Sequence, residues 1–286
     1  MKSAPRLTVM RIATWNLLHA MAIPPRTPIH RRELRELSEF IMTELRPDLI
    51  AFQEIDNFQE RSGNIEQVKE IATAIGAHYF FYAPTILGTP GESWKKHPTH
   101  STQVESVFGN ARTQVPSYGI GIVSKSPVIN WEVLQLGRSR IGLPLAVPKD
   151  DGKGVRFLYV KDEPRIALAA ILENGITVIA THLSFVPFVN FYQLRKLKKW
   201  STTLPGETLI VGDLNLPWSL PAKFSEVART GKWRSLVNAK SYPSWGAKVQ
   251  FDYLLTQSTR LRIKSVKAPK PSGFSDHLPL VVDVKI

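Results

Sequence analysis

At six places in this chain polar residues stand at the ends of short apolar runs. Asn16 closes Leu7 to Asn16 (LTVMRIATWN), and Glu54 follows Asp48 to Gln53 (DLIAFQ). His182 comes after Ile176 to Ala180, and Asp213 and Asn215 come after Leu209 to Val211 and the permissive Gly212. Asp252 stands at the start of Phe251 to Thr256, and Asp276 with His277 precedes Leu278 to Val284. Asn and Asp often cap turns, and one histidine can be a satisfied core residue, but six such arrivals make coincidence the weaker account. Strand ends projecting polar groups toward one rim are how a β scaffold builds a site from distant segments. These residue types suit attack on an anionic phosphoester, where charge must be neutralised, water activated and the leaving oxygen assisted. A hard cation such as Mg²⁺ or Mn²⁺ prefers oxygen ligands, which Glu54, Asp213, Asn215 and Asp276 supply. A histidine held by a carboxylate can act as general base, and His277 with Asp252 is the natural pair.

The elements that must position these groups alternate along the chain. Leu7–Asn16 and Asp48–Gln53 read as strands, while Glu33–Leu45 carries apolar residues at helical spacing and stops at Pro47. Ile65–Ile75 reads as a second amphipathic helix, and Tyr79–Ala83 opens the next strand. Thr85–Ser117, rich in Gly, Pro, His, Ser and Thr, reads as a long loop excursion; it contains His97 and His100, whose better account is an exposed loop rather than a ligand pair. Strand-like runs then crowd together at Ile120–Ser124, Ile129–Leu136, Arg156–Val160, Ile166–Leu172 and Thr177–Thr181, separated by turn signals such as Asn174-Gly175. Phe191–Trp200 reads as a helix, and Thr208–Val211, Phe251–Thr256 and Leu280–Val284 as late strands. The pattern is α/β, with two packed sheets and helices outside. No glycine-rich turn follows a strand in the manner of a dinucleotide fold or P-loop.

The chain of 286 residues is 43% hydrophobic, ample for a large core, and is expected to form a single domain over residues 1–286. With no cysteine, disulfides, thiolate zinc sites and cysteine nucleophiles are excluded. Neither a transmembrane span nor a leader h-region is read, so the expectation is a cytoplasmic monomer without an obligate protein partner, at most peripheral at a membrane. The formal charge of +13 suits a polyanionic partner: nucleic acid, an anionic lipid surface or a phosphorylated small molecule.

Six motifs carry a family resemblance: TWN (Thr14–Asn16), QE (Gln53-Glu54), THLS (Thr181–Ser184), GDLN (Gly212–Asn215), FDYLL (Phe251–Leu255) and SDHLPL (Ser275–Leu280). In this order they resemble the endonuclease/exonuclease/phosphatase superfamily, the fold of DNase I, exonuclease III-type nucleases, sphingomyelinases and inositol polyphosphate 5-phosphatases. The resemblance implies a four-layered α/β sandwich with two packed mixed sheets and the site at one end. It implies Glu54 as principal metal ligand assisted by Asn16, with Asp276 beside the metal and Asn215 on phosphate or metal. Asp213 would orient or deprotonate water, His277 polarised by Asp252 would act at the scissile phosphate, and His182 would donate to a phosphate or leaving oxygen. Whether Asp213 or His277 is the base stays open. Arg165, in EPRIAL, matches a phosphate-binding arginine of some members, competing with a strand-edge surface role. Leu18 departs from the acidic residue that repair nucleases of the exonuclease III type carry there, which favours the other branches.

Tyr118 (SYGIGIVS) lines the site or fills a sheet edge, and Arg61 is a substrate contact or an ordinary salt bridge beside Glu54, in a stretch with Asp56 and Gln67. For substrate, two readings compete. A nuclease would use the basic runs Arg195, Lys196, Lys198, Lys199 and Arg260, Arg262, Lys264, Lys267, Lys270 along a phosphate backbone. A lipid-headgroup phosphodiesterase or inositol-type phosphatase would set the same charges on a membrane, with Phe185–Tyr192 (FVPFVNFY), Trp218 and Trp245 as an apolar wall. A non-catalytic scaffold is the third reading, weakened by the intact acid, amide and histidine set.

Overall fold

The computed structural model describes residues 9–23, 31–97, 115–148, 155–217, 219–221, 223, 232–267 and 270–285. In chain order the strands are β1 (Val9–Asn16), β2 (Leu49–Asn57), β3 (Tyr79–Gly88), β4 (Trp94–Lys96), β5 (Ser117–Ser124), β6 (Val128–Gly137), β7 (Leu143–Pro148), β8 (Val155–Val160), β9 (Arg165–Leu172) and β10 (Ile176–His182). They continue as β11 (Glu207–Asp213), β12 (Arg234–Ser235), β13 (Asp252–Thr256), β14 (Arg262–Lys267) and β15 (Leu280–Lys285). The helices are α1 (Arg31–Phe40), α2 (Gln67–Ala74) and α3 (Val189–Ser201).

Two mixed sheets face each other. One has the order β14-β15-β1-β2-β5-β3-β4, the other β12-β13-β11-β10-β9-β6. Their facing sides supply one core, in which Ile12, Ala51 and Ile122 of the first sheet meet Leu168, Val178 and Val211 of the second. Apolar residues of α1 and α2, among them Leu37, Val68 and Ile71, cover the outer face of the first sheet together with Trp15 and Phe52. Leu194 and Leu197 of α3 cover the outer face of the second. Helix, sheet, sheet and helix make the expected four layers. The central strands β5, β9 and β10 are buried along their whole length. Their sequences therefore read as continuous apolar runs rather than alternating ones.

Several expected boundaries shift. The first helix is α-helical only to Phe40; Ile41–Leu45 widens into a π turn that ends at Arg46 in the left-handed region. Ile65 precedes α2, at the isolated bridge between Asn57 and Glu66. Thr85–Gly88 prolongs β3, and Trp94–Lys96 pairs back on it as β4, so the start of the expected excursion is a hairpin. His97 follows this hairpin, while His100 and Trp218 lie outside the described residues. Leu143–Pro148 and Val155–Val160 pair as a separate two-stranded sheet, of which only the second strand was legible. No helix among the described residues is long and apolar enough to cross a membrane.

Candidate active site

The strand pairing brings the polar residues of these six places to one end of both sheets. Asn16 at the end of β1 pairs with Gln53 in parallel β2. His182 and Asp213 are the last residues of parallel β10 and β11, and Asp213 faces Asp252 at the start of antiparallel β13. Asp276 and His277 lie just before β15, which enters the first sheet opposite Thr14.

Glu54 does not end its strand, which runs on to Asn57; it sits instead where the pairing of β2 with β5 slips between Phe52 and Ile55, with φ 54°. A bulge of this kind re-aims a side chain out of the strict alternation. Asn215 (φ 48°) and Ser275 (φ 58°) are also non-glycine residues in the left-handed region. So are Leu18, His19 and Ala20, in the turn that follows Asn16. Such backbone costs about 1–3 kcal/mol per residue and concentrates where a side chain must be presented.

One amide ties the two halves together. Asn16 Nδ2 donates to Glu54 Oε1 at 2.9 Å and to Asp213 Oδ2 at 3.0 Å. Asn16 Oδ1 accepts the Leu18 N–H at 3.2 Å, which orients the amide. The Asn215 N–H caps Asp213 Oδ1 at 2.8 Å, and Asn215 Nδ2 donates to the Leu183 carbonyl at 3.0 Å and lies 3.2 Å from His182 Nε2. Both histidines present Nε2 to Asp213 Oδ2, each at 3.7 Å, and His182 Nε2 is 3.9 Å from Glu54 Oε1. Behind His277, Nδ1 meets Asp252 Oδ2 at 2.7 Å, and the Ser241 hydroxyl donates to that same oxygen at 2.5 Å. Asp213, Asp252 and His277 offer ligand atoms within 4.8 Å of one another.

The electrostatics follow from this crowding. Burial raises the Asp213 carboxyl, as does the Asp252 charge, against the opposing pull of His277. Asp276 rises to about 6 through burial and the nearby Glu54 charge, partly offset by His277. Burial works against a charged His277, but Asp252, by charge and hydrogen bond, holds the imidazole well above its ordinary value. His182 moves the other way, because burial, Arg165 and His277 all disfavour its charged form.

Arg165 is buried, not at a surface edge. Its Nη1 lies 3.0 Å from His182 Nδ1 and its Nη2 is 3.7 Å from Asp162 Oδ1. A guanidinium can only donate, so Nδ1 accepts and the neutral ring carries its proton on Nε2, toward Glu54 and Asp213. Arg61 is held by Asp56 through two 2.8 Å hydrogen bonds and lies over the Tyr118 ring, so its salt bridge to a buried acid dominates. Tyr118 is buried, its hydroxyl raised by burial and by the charges of Glu54 and Glu163. Gln67 accepts the Asp56 N–H and donates to the His19 carbonyl, tying α2 to the turn after Asn16.

Sequence reasoning missed the groups that hold this constellation. Ser241 supports Asp252, the Ser275 hydroxyl donates to the Asn16 carbonyl at 2.6 Å, and the Trp15 indole donates to the His277 carbonyl at 2.9 Å. Glu163, two residues before Arg165, is buried and raised to about 7 by burial and by the Glu54 and Asp162 charges, against Arg165. Only the adjacency of Glu163 to the EPRIAL arginine hinted at it; single serines at strand ends carry no signal of their own.

The basic run of α3 comes apart. Lys198 is buried, with Nζ on the Pro221 carbonyl at 2.7 Å, and Lys196 Nζ donates to the Gln135 carbonyl at 2.5 Å. β14 is an edge strand that runs from Arg262, paired with Lys285 at the far end, to Lys267, paired with Val281 toward the site end.

The Endonuclease/Exonuclease/phosphatase family signature matches residues 13–277. A comparison with curated proteins returns no match. Among solved structures, the chain is similar to an endonuclease/exonuclease/phosphatase from Beutenbergia cavernae, at 17% identity and TM-score 0.60, over 97% of this chain and 72% of that one. It is also similar to a mannosyl-6-phosphatase of Bacteroides thetaiotaomicron, at 11% identity and TM-score 0.55, over 96% and 99% of the two chains. The catalytic domain of human Nocturnin, with bound sulfate, matches at 15% identity and TM-score 0.57, over 97% of each chain. At these identities the structural likenesses speak to the fold. The signature, which runs from the end of β1 to the histidine before β15, shows that this chain belongs to the Endonuclease/Exonuclease/phosphatase family.

Proposed function

We propose that this protein hydrolyses phosphoesters, phosphodiesters above all, with Mg²⁺ or Mn²⁺ as cofactor. The observation that carries the reading is the single Asn16 amide holding Glu54 and Asp213 together while both histidine Nε2 atoms converge on Asp213. The donor set fits a hard cation: it is carboxylate and amide oxygen, and burial above all raises the Asp213 and Asp276 carboxyls, whose charged forms a cation bound there would favour. Glu54 and Asp276 would hold the ion, with Asn16, Asp213 and Asn215 beside them. Bound there, it would supply Lewis-acid stabilisation of charge on the phosphoryl oxygens.

The remaining roles belong to the chain. Asp252 Oδ2 is already engaged by His277 and Ser241, so the Asp213, Asp252 and His277 cluster is read as a donor chain rather than a ligand set. The charged His277 donates Nε2–H to a nonbridging oxygen. Asp213, a carboxylate whose basicity burial has increased, accepts the proton of the attacking water. In this reading Asp213, rather than His277, is the base. His182, neutral and protonated on Nε2, donates to a phosphate or leaving oxygen. Arg165 acts through His182 rather than on substrate, and Arg61 and Tyr118 wall the site beside Glu54. The inward Lys196 and Lys198 break the basic run of α3, which weighs against a long nucleic-acid track and toward a compact phosphoester.

The test is hydrolysis of bis(p-nitrophenyl) phosphate, plasmid DNA, RNA, phospholipids and inositol phosphates with and without Mg²⁺ or Mn²⁺, for wild type, Glu54→Gln and His277→Ala. Metal-dependent turnover reduced about 10²–10⁴-fold in each variant is the expected result. Absence of both hydrolysis and divalent-cation binding in the wild type would sink the reading.

A further inference from the structure

Five aromatic residues stand more than half exposed among the described residues: Phe157 (75%), Tyr159 (60%), Phe188 (81%), Tyr192 (64%) and Trp245 (57%). Their places in the fold are not scattered. β6 ends at Gly137 opposite Arg165, where β9 begins, so the β7–β8 pair bearing Phe157 and Tyr159 springs from the active-site end of the second sheet. The segment after His182 leads directly into α3, placing Phe188 and Tyr192 at the same end, where Asn190 donates to the Asn215 carbonyl. Trp245 lies in the loop whose Tyr242 ring packs 5.0 Å from His277 and whose Ser244 N–H bonds the Asp276 carbonyl. All five therefore lie on segments that leave or enter the site end of the fold.

The surroundings are apolar and cationic. Phe157 and Tyr159 share one face of their strand by alternation, and Ile141 beside the β7–β8 pair is 63% exposed. Phe188 holds φ 67° while its ring faces solvent, so a strained residue spends its side chain outward, away from the core. The segments Arg138–Val147, Val155–Lys161, Phe185–Lys199 and Tyr242–Val249 contain no Asp or Glu. Arg138, Arg140, Lys161, Arg195 and Lys248 are exposed within them. Residues 149–154, between the first two segments in the sequence, carry Asp150 and Asp151 together with Lys149 and Lys153.

We propose that this aromatic and basic rim docks the protein on an anionic lipid bilayer, so that the site addresses a phosphoester at the membrane surface. Aromatic rings beside cationic side chains are the chemistry of the headgroup boundary: the rings bury in the acyl edge while Lys and Arg meet lipid phosphates. Stacking on single-stranded nucleic acid also uses aromatics and cations, but it has no use for the exposed Ile141, and the basic run of α3 is broken by the inward Lys198. The recessed catalytic groups, buried behind this rim, suit a headgroup reached from above.

The proposal rests on the phosphoesterase reading for its purpose but not for its test. Co-sedimentation of the full chain with phosphatidylcholine vesicles, with and without phosphatidylglycerol, is measured for wild type and for Phe157→Ser/Phe188→Ser/Tyr192→Ser. Hydrolysis of soluble bis(p-nitrophenyl) phosphate serves as the control for folding and catalysis. Wild type is expected to bind phosphatidylglycerol vesicles, and the triple variant to bind them at least about tenfold more weakly with unchanged soluble turnover. No vesicle binding by a wild type that turns over the soluble ester would overturn the docking alone. Binding of a single-stranded oligonucleotide in its place, lost in the triple variant, would overturn it and assign the rim to nucleic acid. Vesicle binding without turnover would leave the docking standing and remove the catalytic reading.

Discussion

Asn16 spends one amide nitrogen on two carboxylates from different sheets and so bridges them. Replacing Asn16 with Ala leaves Glu54 and Asp213 facing each other unbridged, and we expect a fall in kcat of about 10²-fold with weakened divalent-cation affinity, measured by kinetics and calorimetry. Arg165 makes a different prediction. Because its Nη1 fixes the proton of His182 on Nε2, Arg165→Met is expected to lower kcat about 10–100-fold with little change in KM, and Arg165→Lys to recover part of that loss. Nitrogen-15 spectra of the wild-type histidines should show His182 neutral and protonated at Nε2; a ring protonated at Nδ1 would defeat the argument.

At the level of elements, the site depends on strand ends meeting within hydrogen-bond distance. Gly212 has φ 134°, and a Cβ there would collide with the Thr181 carbonyl of neighbouring β10. Gly212→Ala is therefore expected to push β11 away from β10 and misplace Asp213, abolishing measurable turnover while lowering Tm. The Trp15 indole links β1 to the loop before β15 through the His277 carbonyl. Trp15→Phe leaves that carbonyl without its donor and opens space in the core beneath α1, so a loss of about 1–3 kcal/mol is expected from denaturant unfolding. A wild-type midpoint in that variant would mean the link carries no stability.

For the molecule as a whole, two sheets bring buried carboxylates to one end, and their charge links metal binding to pH. Burial and Glu54 lift Asp276 to about 6, and Asp213 is raised as well. A carboxyl held above its ordinary value keeps its proton further up the pH scale in the free protein, and a cation must displace that proton. Mg²⁺ or Mn²⁺ affinity is therefore expected to rise as pH increases through about 6, with proton release on binding. Titration calorimetry in buffers of different ionisation enthalpy reads that release directly; binding without it would show that these carboxyls are already ionised.

The sequence by itself determined the fold class, the family and the roster of chemical groups. Buried central strands must be apolar throughout, and polar residues at their ends stand out against that background. Asn16, His182, Asp213 and Asp252 were legible for this reason, as was the His277 and Asp252 pair. Only the tertiary structure decided which way the groups point and what occupies them. The bulge at Glu54 depends on how β2 pairs with β5, a register no single strand encodes. The same holds for Arg165 on His182 and for Arg61 on Asp56. The inward turn of Lys198 depends on the face that α3 lays against the second sheet. A charged residue's type is written in the chain, but its partner is set by segments tens of residues away that fold beside it.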